Sequence, residues 1–223
     1  VITVANTVTA TVSAIVANFS PAEGGKPALL FHREVETLFH EFGHIMHQTL
    51  TKSPYAALAG SSVKRDFVEA PSQMLENWVY DSEVLDQISG HYENPRQKLP
   101  PEILDRMLKS KNFNMGLFYM RQISFATFDY RLHTATSPVD SVALYKAVHQ
   151  EMMGYPANPK TMFPATFGHL MGGYDAGYYG YLWSEVYAAD MFTRFKKEGL
   201  INPEAGAAYR KYILESGDLR DPG

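Results

Sequence analysis

Apolar residues recur at intervals of three and four over residues 33–50, at Val35, Leu38, Phe39, Phe42, Ile45 and Met46. That period predicts an amphipathic helix. Ser53-Pro54 ends it, and the small residues that follow, up to Ser62, read as a loop. A second helix is predicted over residues 66–79. Short helices follow, broken at Gly90, Pro95, Pro100 and Pro101. Long helices are predicted over residues 112–133 and 139–153, the second with Pro138 near its start. Pro156, Pro159 and Pro164 mark an irregular connection. A segment rich in Gly and Tyr covers residues 168–181, a last long helix continues to about residue 197, and Asn202-Pro203 opens a final short one.

The start of the chain follows another period. Thr7, Val8, Thr9, Ala10, Thr11, Val12, Ser13 and Ala14 alternate polar with apolar, which predicts a half-buried strand. Residues 1–19 carry no charge, so a signal peptide or membrane span must be weighed. The recurring Thr3, Asn6, Thr7, Thr9 and Thr11 interrupt both the compact apolar run of a signal peptide and the ~20 apolar residues of a span. The fold class expected is mainly α with a small β element at the N-terminus, in one domain over residues 1–223. Within it, residues 1–20 form a strand segment, 33–80 a helix pair and 164–183 a Gly/Tyr-rich loop.

Composition narrows the chemistry. The 223 residues are 45% hydrophobic and 20% charged, ordinary for a folded protein with a good-sized core. A net charge of −4 and no dense Lys/Arg stripe give no reason to expect nucleic acid. With no cysteine, disulfides and thiolate ligands are excluded, and a transition-metal site must use His, Asp or Glu. Absence of cysteine also fits a reducing compartment, and a cytoplasmic location is expected.

Against that restriction one motif stands out. His40-Glu41-Phe42-Gly43-His44 fits H-E-x-x-H. Four residues apart on a helix, His40 and His44 lie one turn apart on one face, so both imidazoles can reach one zinc at about 2.0–2.1 Å. Glu41 lies about 100° round from His40, at the edge of that face, where a carboxylate can reach a water but not easily the metal. This is the position of a general base. Two histidines scattered on a surface helix are the competing reading. The apolar helix around them argues for an interior or cleft, where such groups without partners are costly. Gly43 costs about 1 kcal/mol relative to Ala inside a helix, which predicts a close approach of another backbone there.

A catalytic zinc wants three protein ligands and an open position. Glu69, 25 residues after His44 (69 − 44), is the best third candidate, on a return helix packed against the first. Glu76, two turns further on, is either an acceptor for a ligand imidazole N–H or a solvated carboxylate. His47 shares the face of His40 but lies about 10 Å along the axis, too far to bind the same ion, and reads as a cleft-lining or core histidine. His32, His91, His133 and His149 have no motif context and are expected to be structural or exposed.

These residues resemble the thimet oligopeptidase and neurolysin family of zinc oligopeptidases. Phe39-His40-Glu41-Phe42-Gly43-His44 is similar to its metal motif, and residues 66–78 to its third-ligand helix. Residues 167–183, Phe-Gly-His-Leu-Met-Gly-Gly-Tyr-Asp-Ala-Gly-Tyr-Tyr-Gly-Tyr-Leu-Trp, are similar to its Gly-rich loop and the helix after it. The resemblance implies a zincin-type, neurolysin-like metallopeptidase catalytic domain with one zinc per chain, held by His40, His44 and Glu69. It implies a metalloendopeptidase that hydrolyses short oligopeptides, with Glu41 as base and no nucleic-acid or membrane partner. It implies that His169, Tyr178 and Tyr181 face the zinc and stabilise the reacting carbonyl, as phenol donors can. Tyr174, with Gly172 and Gly173, would contact substrate from a loop that Gly177 and Gly180 also free to close. The strand end Val16-Ala17-Asn18-Phe19 would pair with an extended substrate. Family members are much longer, so the chain reads as part of a longer one whose N-terminal portion completes a channel. A dipeptidyl carboxypeptidase of the same family, and an inactive zinc-binding fragment, are the alternatives. The Glu-Ala-Pro-Ser-Gln wording from Glu69 onward fits the endopeptidase branch better.

Overall fold

The structure is a computed structural model that describes residues 2–4, 7–9 and 11–221, the backbone alone for the first two stretches. Its contacts separate two compact units, residues 1–109 with 184–223, and residues 110–183. Both are helical.

In the first unit, β1 (Ile2–Val4) and β2 (Thr7–Thr9) pair as an antiparallel hairpin, Ile2 opposite Thr9. The strand expected over residues 7–14 is described over Thr7–Thr9 and is absent over residues 11–14. Residue 10 lies outside the described residues, and residues 11–20 form no strand. Alternation in sequence specifies two faces, but a strand also needs a neighbour for its backbone groups. Val12 and Val16 instead stand about nine-tenths exposed.

Helix α1 (His32–Thr49) matches the predicted span closely. Its start is held by Glu34, whose carboxylate accepts the Phe31 N–H at 2.7 Å and the Ser20 N–H and hydroxyl at 2.7 and 2.8 Å. The buried stripe of α1 is not its apolar one. Gly43 and His47 are its buried residues, while Phe42 is about half exposed.

The second predicted helix begins later than its apolar pattern suggests. Residues 65–69 are turns, α2 runs Ala70–Leu75, and a 3₁₀ segment continues over Glu76–Tyr80. Pro71 explains the delay: in a helix begun at residue 66 its ring would meet the carbonyl of Phe67. Glu69 therefore sits at the cap, ahead of α2. Further along this unit come α3 (Ser82–Ile88) and α4 (Pro101–Lys111). Met74, Ala188, Phe195 and Ala205 form its core, with Trp78, Phe192 and Tyr209 packed against them.

In the second unit, α5 (Met115–His133) and α6 (Ser141–Met153) pack together, and α7 (Phe163–Thr166) leads into a 3₁₀ turn, Gly168–Met171. Its core joins Phe125, Phe128, Tyr145, Val148, Phe167, Leu170 and Tyr178. Helix α8 (Gly180–Glu198), most of which belongs to the first unit, is followed there by α9 (Pro203–Tyr209), capped by Asn202, a π-helical turn (Arg210–Leu214) and a 3₁₀ turn (Gly217–Leu219).

The junction of α1 with α2 is the tightest packing that bears on the site. A Cβ on Gly43 would lie 2.5 Å from the Ser72 Cα and 2.9 Å from the Pro71 carbonyl oxygen. Both neighbours are backbone and cannot turn aside. Gly43→Ala gains about 1 kcal/mol of helix propensity but forces the helices apart, and overpacking costs about 1–3 kcal/mol. The variant should unfold at lower denaturant than the parent. An unchanged or raised midpoint would show that the two backbones have room to spare.

Candidate metal centre

The close approach at Gly43 brings the cap of α2 against the His40–His44 face of α1. The Nε2 atoms of His40 and His44 lie 3.2 and 3.0 Å from one oxygen, Oε2 of Glu69. The three ligand atoms all fall within 4.8 Å of one another, a group able to hold a metal ion. Three atoms each about 2.0–2.1 Å from one zinc, at tetrahedral angles, stand roughly 3.3–3.4 Å apart. The spacing to Glu69 fits that ion with a small outward movement.

Glu69 is buried, and the Ser72 hydroxyl donates to its carbonyl at 2.8 Å and lies 3.1 Å from Oε2. The other face of His40 is also held, because Nδ1 stands 2.6 Å from Oε1 of Glu76. This contact has a chemical consequence. A carboxylate on Nδ1 fixes the ring proton there, which leaves Nε2 as a lone pair. Nε2 then faces an acceptor oxygen of Glu69, and two acceptors at this distance require a cation between them. Without metal, that cation is a second proton on His40. Burial of the ring opposes protonation, but the hydrogen bonds and charges of Glu69 and Glu76 outweigh it and raise the imidazole to about 10. The donor set thus fits a divalent ion that displaces this proton.

Glu41 follows His40 on α1 and is half-buried. His47 is fully buried against Phe67, with ring centroids 6.4 Å apart, and burial, with the charge of His44, holds it down to about 4. It is a neutral core histidine.

The Gly/Tyr segment builds a cluster of its own in the second unit. The His169 ring stands edge-on to Tyr178 at 5.1 Å, to Tyr181 at 5.6 Å and to Tyr174 at 5.7 Å, while Tyr174 and Tyr181 stack at 4.9 Å. Phe167, His169, Gly172, Tyr174 and Tyr181 line an open cleft. Gly172 and Gly173 are exposed, and Gly173 takes a φ of +86°, a turn suited to glycine. Burial raises the Tyr178 phenol to about 12, opposed by Arg121, so it stays a neutral donor. Its hydroxyl donates to Oε1 of Gln122 at 2.9 Å.

Sequence reasoning missed Ser72 and Gln122. Ser72 stands three residues after the cap residue Glu69, a spacing that could have suggested a hydrogen bond around the helix start. Gln122 carried no signal, since its partner lies 56 residues away. Among the described residues, no helix is long and apolar enough to cross a membrane.

Comparison with known proteins agrees with the motif. The sequence model of peptidase family M3 matches residues 2–223. The chain is 43% identical over 209 residues to the thimet-like oligopeptidase of Dictyostelium discoideum, and 44% identical over 216 residues to oligopeptidase A of Escherichia coli. The dipeptidyl carboxypeptidase of Escherichia coli is 37% identical over 212 residues. These alignments take in 92%, 95% and 92% of the chain but 31%, 32% and 31% of the relatives, so the chain spans about a third of their length. Motif, ligand geometry and similarity over nearly the whole sequence agree: the chain belongs to peptidase family M3.

Proposed function

We propose that the chain carries the zinc site of an endopeptidase that hydrolyses short oligopeptides. The observation behind this reading is the convergence of the His40, His44 and Glu69 ligand atoms on one point, with Glu41 beside them in sequence. The domain would be of the zincin type. Zinc bound there supplies a Lewis acid that acidifies water and polarises a carbonyl. Glu41 takes the proton of the attacking water and passes it to the leaving amine. His169, Tyr178 and Tyr181 donate to the oxyanion as the carbonyl becomes tetrahedral, the Tyr178 O–H turning to it from Gln122 Oε1. Tyr174, Gly172 and Gly173 bind the peptide. Glu76 keeps the ring of His40 in the tautomer that offers Nε2.

The substrate and the cytoplasmic location are part of the proposal. The names of the oligopeptidase relatives and the lack of cysteine support them. So is the role of the remaining two-thirds of the relatives' length, which would complete a channel over faces that are exposed here, such as Leu117 and Phe118 of α5. The likeness to a dipeptidyl carboxypeptidase favours a second reading, in which dipeptides are removed from the C-terminus. Quenched peptides blocked and free at the C-terminus decide between them: internal cleavage of the blocked peptide supports the endopeptidase, and release of dipeptides from the free peptide alone supports the carboxypeptidase.

Two variants test the zinc reading. Glu41→Gln should keep one zinc per chain while turnover falls at least 100-fold, within the range that a general base supplies. Near-normal rates would remove Glu41 from the role. Glu76→Gln should weaken zinc binding about 10–100-fold, measured against a competing chelator. Unchanged affinity would make Glu76 a bystander.

A further inference from the structure

Asp129 has no place in the proposed chemistry, yet it is among the most deeply buried charged groups described. It is 1% exposed. Each of its oxygens receives a backbone donor from the turn that carries Tyr178. Oδ1 accepts the Ala176 N–H at 3.0 Å and Oδ2 accepts the Tyr178 N–H at 2.9 Å. Nδ1 of His133, one helical turn along α5, stands 2.8 Å from Oδ1. A carboxylate removed from water needs such donors, and here they come from the turn itself.

The turn needs the carboxylate in return. Ala176 has a φ of +54°, in the left-handed region that residues with a β-carbon avoid. Strained backbone persists where its surroundings over-determine it, and Asp129 holds both this residue and the second one after it. Two turns back on the same helix (129 − 122 = 7), Gln122 accepts from the Tyr178 hydroxyl. Helix α5 therefore holds Tyr178 at both ends, by its backbone and by its phenol. The ring between them is packed against Phe125, Phe167 and His169.

We propose that Asp129 is a positioning residue for the peptidase reaction: it clamps the turn over residues 176–178 through its backbone, so that Tyr178 stays in place when its single phenol proton turns from Gln122 to the oxyanion. His133 steadies the carboxylate. The proposal rests on the reading of Tyr178 given above. A group that acts only through Tyr178 has a distinctive kinetic signature. Its loss should lower kcat and leave KM in place, because the oxyanion contact forms only in the transition state. The loss should also vanish once the phenol is gone.

The test is a double-mutant cycle in the full, zinc-loaded chain. In Asp129→Asn, one carboxylate oxygen becomes an NH₂ that faces an N–H donor, so one tether is lost. Expected are a kcat lower by about 10- to 100-fold, as for a lost charge-assisted hydrogen bond, a KM within about twofold, and unchanged zinc content. Hydrogen exchange at the Ala176 or Tyr178 amide should quicken. In a Tyr178→Phe background the same change should cost less than about threefold. If Asp129→Asn fails to fold, the cycle is run in an Ala176→Gly background, where glycine takes the left-handed turn without strain. Multiplying losses, a raised KM with normal kcat, or unaltered exchange at both amides would overturn the assignment. A wild-type kcat for Tyr178→Phe alone would overturn the reading of Tyr178 and this one with it. A slowed Tyr178→Phe combined with multiplying losses would overturn this one alone.

Discussion

Two acceptor atoms about 3 Å apart, His40 Nε2 and Glu69 Oε2, cannot stay together without a proton or a metal ion between them. That constraint governs the metal centre. His40 Nε2, His44 Nε2 and Glu69 Oε2 converge, and Glu76 holds the proton of His40 on the far side of the ring. A second proton or a metal ion must then fill the gap. The raised titration of His40 expresses the first option and the ligand spacing fits the second. Binding of a divalent ion, as proposed, would in this sense be an exchange of cations at the same three ligand atoms.

The shape comes from backbone packing. Gly43 lets Pro71 and Ser72 lie directly on α1, and this contact sets how far the Glu69 carboxylate reaches. Pro71 stops the helix from starting early and so leaves Glu69 at its cap, where Ser72 binds it. The stripe of α1 that points inward is consequently glycine and histidine, while several large apolar residues on the same helix stay half-buried or exposed. In the second unit a different device does comparable work. A buried carboxylate and a glutamine on one helix fix a tyrosine that belongs to a strained turn.

Much of the candidate metal centre was legible in the sequence because helical geometry turns a spacing into a position. His40 and His44 follow from the 3.6-residue period, and Gly43 announced the close approach by its cost inside a helix. Glu69 was legible in type but not in setting: the apolar pattern ran through residue 66, and only the steric demand of Pro71 moved the helix start beyond it. The N-terminal strand was over-extended because alternation describes faces, not partners, and no neighbouring strand is described for residues 11–20. Asp129 was not legible at all. Its partners are 47 and 49 residues away, and an acid in an apolar helix reveals its purpose only once the chain has folded back on it.

The central claim concerns the atoms around the ion, and X-ray absorption at the zinc edge of the loaded full chain reads them directly. Two imidazole nitrogens and a carboxylate oxygen at about 2.0–2.1 Å are expected, with the oxygen contribution altered and affinity lost in Glu69→Gln. A spectrum with three or more imidazoles, or one unchanged by Glu69→Gln, would contradict the assignment of the metal to His40, His44 and Glu69.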